Sequence, residues 1–489
     1  MYDEVVNASF DDEESRRRTA RAVVCVALAL CVTVGACVTT HFTPPVVDPI
    51  HRLPGPVVFV DVSVFDGVSP IVHLHQDVWV EGGVVSRMSS TGRPLPANAT
   101  VVDGRGKTLL PGLIDAHTHV TATASPPWAV SLPDRAHHLE AHLFAGVTTI
   151  VDLAGEVEAV RETRALVESG ALVGPRVVVS GPQITPPGGY PGAMIARLLP
   201  FPLGSVVTAL GEPGVSGVDE ARARVRERVA AGVDVVKIAL AEAPGGSPIL
   251  DRASVEAIVS EAHAARRLVF AHVDTAAHAL LAAEAGVDAL AHGVHVGALD
   301  DDDARAIASR GVHVVPTLVV FDRVAALRTG HLSFHPLESA SEPVSLLASF
   351  APEARGSYAL DDDLAAWVDA LASSGEQRRQ NVRALARAGA PILVGTDANG
   401  APGVFPGAIH DEMRLLVEAG VPTLEVLRGA TSRAARFLGG DDADSGVVEV
   451  GKRADLVLVE GNPLFDVTKA ARIVVVMQAG RTIVRIGAP

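Results

Sequence analysis

The chain has 489 residues, of which 48% are apolar and 20% are charged, and its formal net charge is −16. This length and composition are typical of a globular protein with a large buried core and exclude a disordered chain. Because binding to phosphate groups requires a basic surface, the acidic balance disfavours nucleic acid as a partner and leaves a small-molecule substrate as the expectation.

Residues 1–36 have the pattern of an export signal peptide. Arginines precede an apolar run over residues 22–36, which is short for a membrane span but fits the hydrophobic region of a signal peptide. The run leads to Val-Gly-Ala-Cys at residues 34–37, which resembles a bacterial lipobox, whose cysteine is acylated. We therefore predict an exported lipoprotein, anchored to the membrane by a lipid at Cys37 on the periplasmic or cell-surface side, with residues 37–54 as a tether. A plain signal peptide or a short anchor, with Cys37 incidental, is the alternative.

The positions of the cysteines restrict the chemistry of the folded part. All three cysteines of the chain lie at or before residue 37. The remainder can therefore contain neither a disulfide nor a thiolate metal site. Any metal ion there must be held by histidine, by carboxylate or by a modified lysine.

The two ends of the folded part share one pattern. Residues 55–108 and 445–489 contain short β segments that are separated by glycine and proline turns. Because both flank a middle of different character, we predict that they pair into one small β-sandwich domain.

The middle, residues 109–444, alternates strands with helices rich in Ala, Arg and Glu. The eight strand candidates are Leu109–Ile114, Val147–Asp152, Arg176–Ser180, Val233–Leu240, Leu268–Val273, Asp288–His292, His313–Leu318 and Ala390–Thr396. Their near-continuous apolar runs fit strands buried on both faces, and eight strand–helix units predict an α/β fold of the (β/α)8 TIM-barrel type. In that fold the active site lies at the carboxyl ends of the strands. The long connections 182–218 and 319–388 are candidate lids or pocket walls.

A pair of histidines ends the first predicted strand. His117 and His119 are two residues apart, and alternate residues of a strand face the same way, so both imidazoles can reach one metal ion. His73 and His75 have the same spacing within a predicted β segment. We interpret that second pair as incidental, because it does not lie at the end of a barrel strand.

Lys237 is the most discriminating residue, because it lies within an apolar strand of a chain that has only four lysines. Burying an ammonium group there is costly. One interpretation is a lysine that reaches solvent from the strand end or pairs with Asp234. The other is a carbamate, formed when the neutral amine takes up CO2, which is anionic and can bridge two metal ions.

His272, His292 and Asp397 end the predicted strands five, six and eight. The two histidines can complete the shell of a second ion, and Asp397 can serve as a ligand and a proton shuttle. Taken singly, each histidine fits a core residue, and Asp397 fits the N-cap of a helix. The joint pattern favours a metal centre.

Together these segments resemble the amidohydrolase superfamily, in particular its binuclear subgroup near the Xaa-Pro dipeptidase-like and imidazolonepropionase-like enzymes. The resemblance spans residues 55–489 and includes Leu-Pro-Gly-Leu-Ile-Asp-Ala-His-Thr-His at 110–119, Ala-Gly-Val-Thr-Thr at 145–149 and Gly-Lys-Arg-Ala-Asp-Leu at 451–456. It implies two divalent metal ions, expected to be zinc. The implied ligands are His117, His119 and Asp397 for the first ion, a CO2-derived carbamate on Lys237 as the bridge, and His272 and His292 for the second ion.

The reaction implied by the resemblance is hydrolysis of an amide-type C–N bond by a metal-bridging hydroxide, with Asp397 as the catalytic proton carrier. The substrate classes are N-acyl amino acids, dipeptides and cyclic amides. Candidate substrate contacts are Tyr190, His295 and His410. Two alternatives stay open, namely a mononuclear deaminase or imidazolonepropionase-like member of the same fold and a non-catalytic solute-binding lipoprotein. Whether the chain forms a homo-oligomer also stays open.

Overall fold

The computed structural model describes residues 41, 43–48, 55–201, 203–242, 244–483 and 485 of the chain. The predicted signal peptide and Cys37 lie outside the described residues. Within the described part, no helix is both long enough and apolar enough to cross a membrane.

The described strands and helices follow the chain from the terminal sheet into the alternating middle and back. The strands are β1 (Val57–Val64), β2 (His73–Glu81), β3 (Val84–Ser90), β4 (Thr100–Asp103), β5 (Lys107–Pro111), β6 (Leu113–Thr118), β7 (Val147–Asp152), β8 (Arg176–Val179), β9 (Val235–Leu240), β10 (Leu268–Val273), β11 (Ala289–Ala291), β12 (His313–Val315), β13 (Leu456–Glu460), β14 (Ile473–Gln478) and β15 (Arg481–Ile483). The α-helices are α1 (Arg135–Phe144), α2 (Val157–Ser169), α3 (Gly192–Leu198), α4 (Leu203–Leu210), α5 (Val218–Ala230), α6 (Arg252–Ala264), α7 (Ala276–Glu284), α8 (Asp301–Ala308), α9 (Leu318–Thr329), α10 (Pro336–Ser341), α11 (Val344–Ala348), α12 (Asp362–Ser373), α13 (Gly375–Arg387), α14 (Ile409–Glu418), α15 (Thr423–Gly429) and α16 (Ser432–Gly439).

Strands from both ends of the chain pair into one sheet. Its order is β15-β14-β13-β5-β1-β2-β3, and β4 pairs with β1 beside this path. The antiparallel pairing of β13 with β5, which sets Leu458 opposite Leu109, joins the two ends of the chain. One shared apolar cluster contains Phe59, Leu109 and Met477, so burial of apolar surface holds the joined ends together.

The predicted first barrel strand, Leu109–Ile114, is divided in the structure. Its first half belongs to β5 of the terminal sheet, and β6 begins after Gly112 in a separate parallel sheet. The Gly112 N–H donates to the carbonyl of Asp455 at 2.8 Å, and a Cβ at this glycine would overlap the side chain of Thr148. A residue without a side chain is therefore required at the junction. The sequence pattern does not show the break, because the apolar run continues across it.

Seven strands of the middle form two parallel sheets, β6-β7-β8 and β9-β10-β11-β12. Single parallel bridges lie between the sheet edges: Ile184 with Ile238, Val314 with Ile392, and Thr118 with Ala398. The predicted eighth strand, Ala390–Thr396, thus lies between β12 and β6, but it forms isolated bridges instead of a regular ladder. The fold is α/β with parallel sheets and is consistent with a TIM barrel.

Alternation along the parallel strands separates an outer apolar layer from an inner one. In β9, Val236 packs in the large outer cluster, whereas Val235 belongs to an inner cluster that also contains Phe270. Since side chains two apart share a face, Lys237 points to the same inner side as Val235. Phe270 is paired with Lys237 in the register of β9 and β10, so His272 is the next inward side chain of β10.

The two long connections contain helices and contact each other. The α3–α4 hairpin lies after β8, and helices α9 to α13 lie after β12. Nε of Arg197 in α3 donates to Oδ2 of Asp361, the N-cap of α12, at 2.9 Å. The predicted lid or wall segments therefore pack against one another.

Residues 43–48 of the predicted tether lie along α1. The hydroxyl of Thr43 donates to Oδ2 of Asp134, the N-cap of α1, at 2.5 Å. Val47 forms an antiparallel bridge with Arg485 near the other end of the chain. This short stretch is therefore packed on the folded domain.

Candidate metal centre

Three side chains of the types that bind metal ions meet at the end of β6. Nε2 of His119 lies 2.7 Å from Oδ1 of Asp397, and Nε2 of His117 lies 3.5 Å from the same oxygen. Among the described residues, these three form the one group of His, Cys, Asp or Glu side chains whose ligand atoms all lie within 4.8 Å of one another. Oδ1 of Asp397 makes no aligned hydrogen bond despite these short distances. The three atoms converge as ligands of one ion do.

The backbone around this group is constrained. Asp397 and His292 have φ of 60° and 61°, in the left-handed region that residues with side chains seldom adopt. The Asp397 N–H donates to the His117 carbonyl at 2.7 Å, which ties the segment containing Asp397 to β6. A Cβ at Gly400 would overlap both His119 and Asp397, so a glycine at this position allows the close approach.

Lys237 reaches the same space from the inner face of β9. Lys237 is 1% exposed, and its Nζ has no hydrogen-bond partner among the described residues. Asp234, the partner that one interpretation of the sequence offered, binds Arg164 at 2.7 Å instead. Burial lowers the pKa of the Lys237 amine to about 7, although the Asp397 carboxylate opposes the shift. The amine is therefore available in its neutral form near neutral pH.

The two remaining predicted ligands complete the cluster. The ring centroids of His272 and His292 lie 4.4 Å apart, and those of His117 and His292 lie 4.7 Å apart. Nδ1 of His292 lies 2.6 Å from the hydroxyl of Thr317, a hydrogen bond that orients the ring. A hydrogen bond at one ring nitrogen leaves the other as the metal-binding atom.

Burial also keeps the imidazoles neutral. It is the main reason why the pKa values of His117, His272 and His292 lie well below the usual range, and the charge of Lys237 adds to the effect at each ring. Neutral imidazole is the form that binds metal ions. The donor set fits divalent ions, because a purely structural core would pair Nζ of Lys237 and Oδ1 of Asp397 with hydrogen-bond partners.

Asp115 is a residue of this site that the sequence reasoning missed. Its buried carboxylate accepts hydrogen bonds from Oγ1 of Thr396 at 2.6 Å, from the Thr396 N–H at 3.0 Å and from the His117 N–H at 3.1 Å. It thereby links β6 to the segment that contains Asp397. Burial raises the pKa of Asp115 to about 7. The signal in the sequence was a carboxylate inside an apolar strand, which parallels the signal at Lys237.

Two of the three predicted substrate contacts lie beside the cluster. The ring centroid of Tyr190 is 4.3 Å from that of His272, and burial raises the pKa of the Tyr190 hydroxyl, which stays a neutral donor. His295 stacks on Phe321 with centroids 4.3 Å apart, and its ring lies 6.3 Å from His272. Both positions fit the wall of a substrate pocket.

His410 lies apart from this cluster, and its contact with substrate stays a prediction. Its Nε2 donates to the carbonyl of Ala145 at 2.9 Å, and its ring stacks on His335 with centroids 5.5 Å apart. Ala145 precedes β7, so this contact is at the amino ends of the parallel strands, whereas the metal-type ligands lie at the carboxyl ends. Closeness to Asp397 in the sequence did not translate into closeness in space.

Comparisons with known proteins agree with this site. The model of the Amidohydrolase family matches residues 108–483. Ochratoxinase from Aspergillus niger is 28% identical over 393 residues, which cover 73% of this chain and 71% of that protein. The solved structure of a prolidase complexed with N-methylphosphonate-L-proline has a TM-score of 0.69 at 27% identity and covers 88% of this chain and 100% of that chain. Adenine deaminase 2 from Rhizobium meliloti is 25% identical over 394 residues, which cover 78% of this chain and 50% of that protein. The chain therefore belongs to the Amidohydrolase family and is a hydrolase that acts on carbon–nitrogen bonds.

Proposed function

We propose that this protein hydrolyses an amide-type C–N bond of a small molecule with two divalent metal ions, expected to be zinc. The observation that carries the proposal is the buried and unpaired Nζ of Lys237 among four imidazoles and one carboxylate. A carbamate at this amine, which shares one negative charge between two oxygens, would hold the two ions together with two sets of side chains. The sets are His117, His119 and Asp397 on one side, and His272 and His292 on the other.

The side chains around the proposed ions have distinct roles. Bound divalent ions would acidify water and polarise the carbonyl of the substrate. Asp397 is the group that accepts the proton of the attacking water and returns it to the leaving nitrogen, and its Oδ1 lies 2.7 Å from Nε2 of His119. Tyr190 offers a neutral hydroxyl, and His295 an imidazole, to orient the acyl part of the substrate.

A mononuclear deaminase of the same fold is the alternative, and one similar protein carries the name adenine deaminase. It would leave Lys237 as a buried amine without a partner, which costs free energy and serves no ligand. A non-catalytic solute-binding lipoprotein would likewise not need left-handed backbone at His292 and Asp397. A binuclear hydrolase accounts for the buried amine of Lys237 and for the left-handed backbone at His292 and Asp397.

The organisation of the whole chain is also part of the proposal. Residues 109–444 would form a closed barrel in which the 390–398 segment lies between β12 and β6, as the single bridges there support. Residues 55–108 and 445–489 would form a β-sandwich domain around their shared sheet. The signal peptide 1–36 and the lipid at Cys37 would place the domain on the outer side of a membrane.

The test uses the full-length chain, purified in detergent with zinc and bicarbonate. Metal analysis should give two ions per chain, and a screen of N-acyl amino acids, Xaa-Pro dipeptides, hydantoins and lactones should find hydrolysis that a chelator abolishes. One ion per chain together with release of ammonia from a nucleobase would establish the deaminase instead. Tight binding of a solute without turnover would establish the solute-binding protein.

A further inference from the structure

Three exposed apolar side chains lie on the connections that follow β6, β8 and β12. Leu132 is 59% exposed, Phe201 is 89% exposed and Val344 is 81% exposed. Single exposed apolar side chains are ordinary on soluble proteins and need no special role. Their shared location is informative only together with the contacts between these connections and the path of the N-terminal segment.

Hydrogen bonds and ring contacts connect these three connections to one another. Nε1 of Trp128, after β6, donates to the carbonyl of Ser349, after β12, at 2.9 Å. The hydroxyl of Tyr358, also after β12, donates to the carbonyl of Leu198, after β8, at 2.7 Å. The ring centroids of Trp128 and Tyr358 lie 5.5 Å apart. Because all three connections follow the carboxyl ends of parallel strands, they form the face that surrounds the metal-type ligands.

The N-terminal segment comes from this same face. Nδ1 of His41 lies 2.8 Å from Oγ of Ser345, the neighbour of Val344. Two residues later, Thr43 is bonded to Asp134, at the beginning of α1. His41, the first described residue, therefore lies beside Val344, and Thr43 lies beside the connection that carries Leu132.

The path after these contacts confirms the direction. Val47 pairs with Arg485, whose guanidinium lies 4.4 Å from the ring centroid of Phe144, the last residue of α1. The segment thus runs along α1 from the carboxyl ends of the strands toward their amino ends. Its beginning, and not its end, is at the mouth of the site.

The α3–α4 hairpin carries one strongly exposed apolar side chain on this face, Phe201, at the turn between the helices. Met194, Ile195, Leu198 and Leu199, which lie in or just after α3, are half-buried around it. The charged residue of α3, Arg197, is paired with Asp361 at a distance of 2.5 Å. An apolar hairpin whose cation is neutralised within the protein fits the hydrophobic edge of a lipid headgroup layer.

We propose that this face, defined by Leu132, Phe201 and Val344, docks onto the lipid bilayer to which the N-terminus is anchored. Four residue steps separate Cys37 from His41, and an extended chain of that length spans at most about 14 Å. An anchor at Cys37 therefore holds the face close to the headgroups, into which apolar side chains enter by about 5–10 Å. The site then opens toward the membrane surface. This inference depends on the proposed anchor but not on the proposed hydrolysis.

The test adds one new thiol at a time to the full-length chain and labels it with a polarity-sensitive fluorophore. The folded part contains no cysteine, so Phe201→Cys and, as a second probe, Val344→Cys each create one new labelling site there. Phe465→Cys is the matched control, because Phe465 is 91% exposed and lies beyond the end of β13 that points away from β6. The unsubstituted chain, with thiols only at or before Cys37, sets the background.

The labelled chains are bound to phosphatidylcholine vesicles that contain nitroxide-labelled lipid. We expect a blue-shifted emission and quenching several-fold stronger at positions 201 and 344 than at position 465. Equal quenching at all three positions, or a full-length chain that does not sediment with the vesicles, would overturn the proposal. A blue shift without quenching by lipid would also overturn it, in favour of a second protein chain as the covering partner. Catalytic activity is not measured, so these outcomes are independent of the proposed reaction.

Discussion

Lys237 combines a buried position with an amine that has no partner among the described residues. An isolated ammonium group in such a position is costly, and the burial that lowers its pKa to about 7 makes the neutral amine accessible to CO2. Carbamylation would replace an unfavourable cation by an anion that two metal ions neutralise. This chemistry gives a physical reason for a lysine at the inner face of β9 in a chain that has only four lysines.

Replacing Lys237 by Ala should remove metal from the site, because the bridge between the two ligand sets is lost. Protein dialysed against zinc and bicarbonate should contain at most one ion per chain by elemental analysis, and short carboxylic acids should partly restore the second. Lys469→Ala is the control, since Lys469 pairs with Asp466 at 3.5 Å in the terminal part of the chain. Two ions in the Lys237→Ala variant would contradict the carbamate.

Replacing Asp397 by Asn should separate metal binding from turnover. The amide keeps an oxygen near His119 but cannot carry the proton, so we expect kcat to fall by about 10²–10⁴-fold while zinc is retained at saturating concentration. Steady-state kinetics and metal analysis on one preparation give both quantities. Asp442→Asn, at an exposed position, should behave as the unsubstituted protein. A near-normal rate in Asp397→Asn would rule out the proton-carrying role.

The sequence indicates polar side chains that stand out within an apolar strand. It does not indicate side chains whose role depends on contacts between distant segments. Lys237 and His272 were predicted as site residues because a polar group inside an apolar run is conspicuous, and the structure places both in the cluster. Asp115 has the same property, yet it was treated as part of a motif, and its bonds to Thr396 depend on two segments that are distant in the chain. His410 is near Asp397 in the sequence but bonds to Ala145, because sequence distance contains no information on the direction of the intervening turns.

At the scale of single elements, the junction between β5 and β6 depends on Gly112. Its N–H binds the Asp455 carbonyl, and a side chain there would overlap Thr148. Gly112→Ala should therefore lower the free energy of unfolding by about 1–3 kcal/mol through overpacking. Adding Thr148→Ala should recover part of the loss, as measured by thermal midpoints of the single and double variants. Purely additive losses would show that the steric contact is not the cause.

The beginning of α9 depends on a buried acid. Oε2 of Glu412, in α14, accepts a hydrogen bond from the Val319 N–H at 2.8 Å, while Oε1 has no partner among the described residues. Burial raises the pKa of Glu412 to about 8. Between about pH 4.5 and about pH 8, the Glu412 carboxyl therefore keeps its proton in the folded state. In the unfolded state, where its pKa is near 4.5, it has released that proton.

Stability should accordingly fall as the pH rises from about 4.5 to about 8, since the folded state binds more protons in that window. Glu412→Gln keeps the acceptor for Val319 and removes the titrating group, so its free energy of unfolding should fall less over this window, by about 1–3 kcal/mol. Urea unfolding at pH 5 and pH 8 measures the difference. Parallel pH profiles of the two proteins would show that Glu412 is already ionised in the folded state.

Strand boundaries were less predictable than strand existence. The alternation of apolar strands and helices indicated the parallel sheets, because burial on both faces leaves a clear compositional signature. The segment Ala390–Thr396 has this composition but is irregular in the structure, where its N–H and carbonyl groups are divided between β6, β12 and Gly429 at the end of α15. This distribution of hydrogen bonds depends on how segments that are distant in the chain pack together, which the local sequence does not encode.

At the scale of the whole molecule, the proposed ions would add a link between two parallel sheets whose inner side chains already share one apolar cluster. The ligands come from the strands or strand ends of β6, β9, β10 and β11, which belong to these two sheets, and from the 390–398 segment. In the described part of the chain, isolated bridges and individual backbone hydrogen bonds link the sheets in place of a regular ladder. Metal binding should therefore be coupled to the stability of the entire middle domain.

Removing metal should lower the thermal midpoint of the unsubstituted protein. At a zinc concentration about 100-fold above the dissociation constant, binding to the folded state alone contributes about 2.7 kcal/mol, which corresponds to a shift of several degrees. Differential scanning fluorimetry with zinc and with a chelator measures the shift. Lys237→Ala, which should bind metal poorly, should show a much smaller response, whereas Lys469→Ala should respond as fully as the unsubstituted chain. An equal response in all three proteins would mean that the stabilising ions bind outside the cluster around Lys237, and the two-metal assignment would then have to be abandoned.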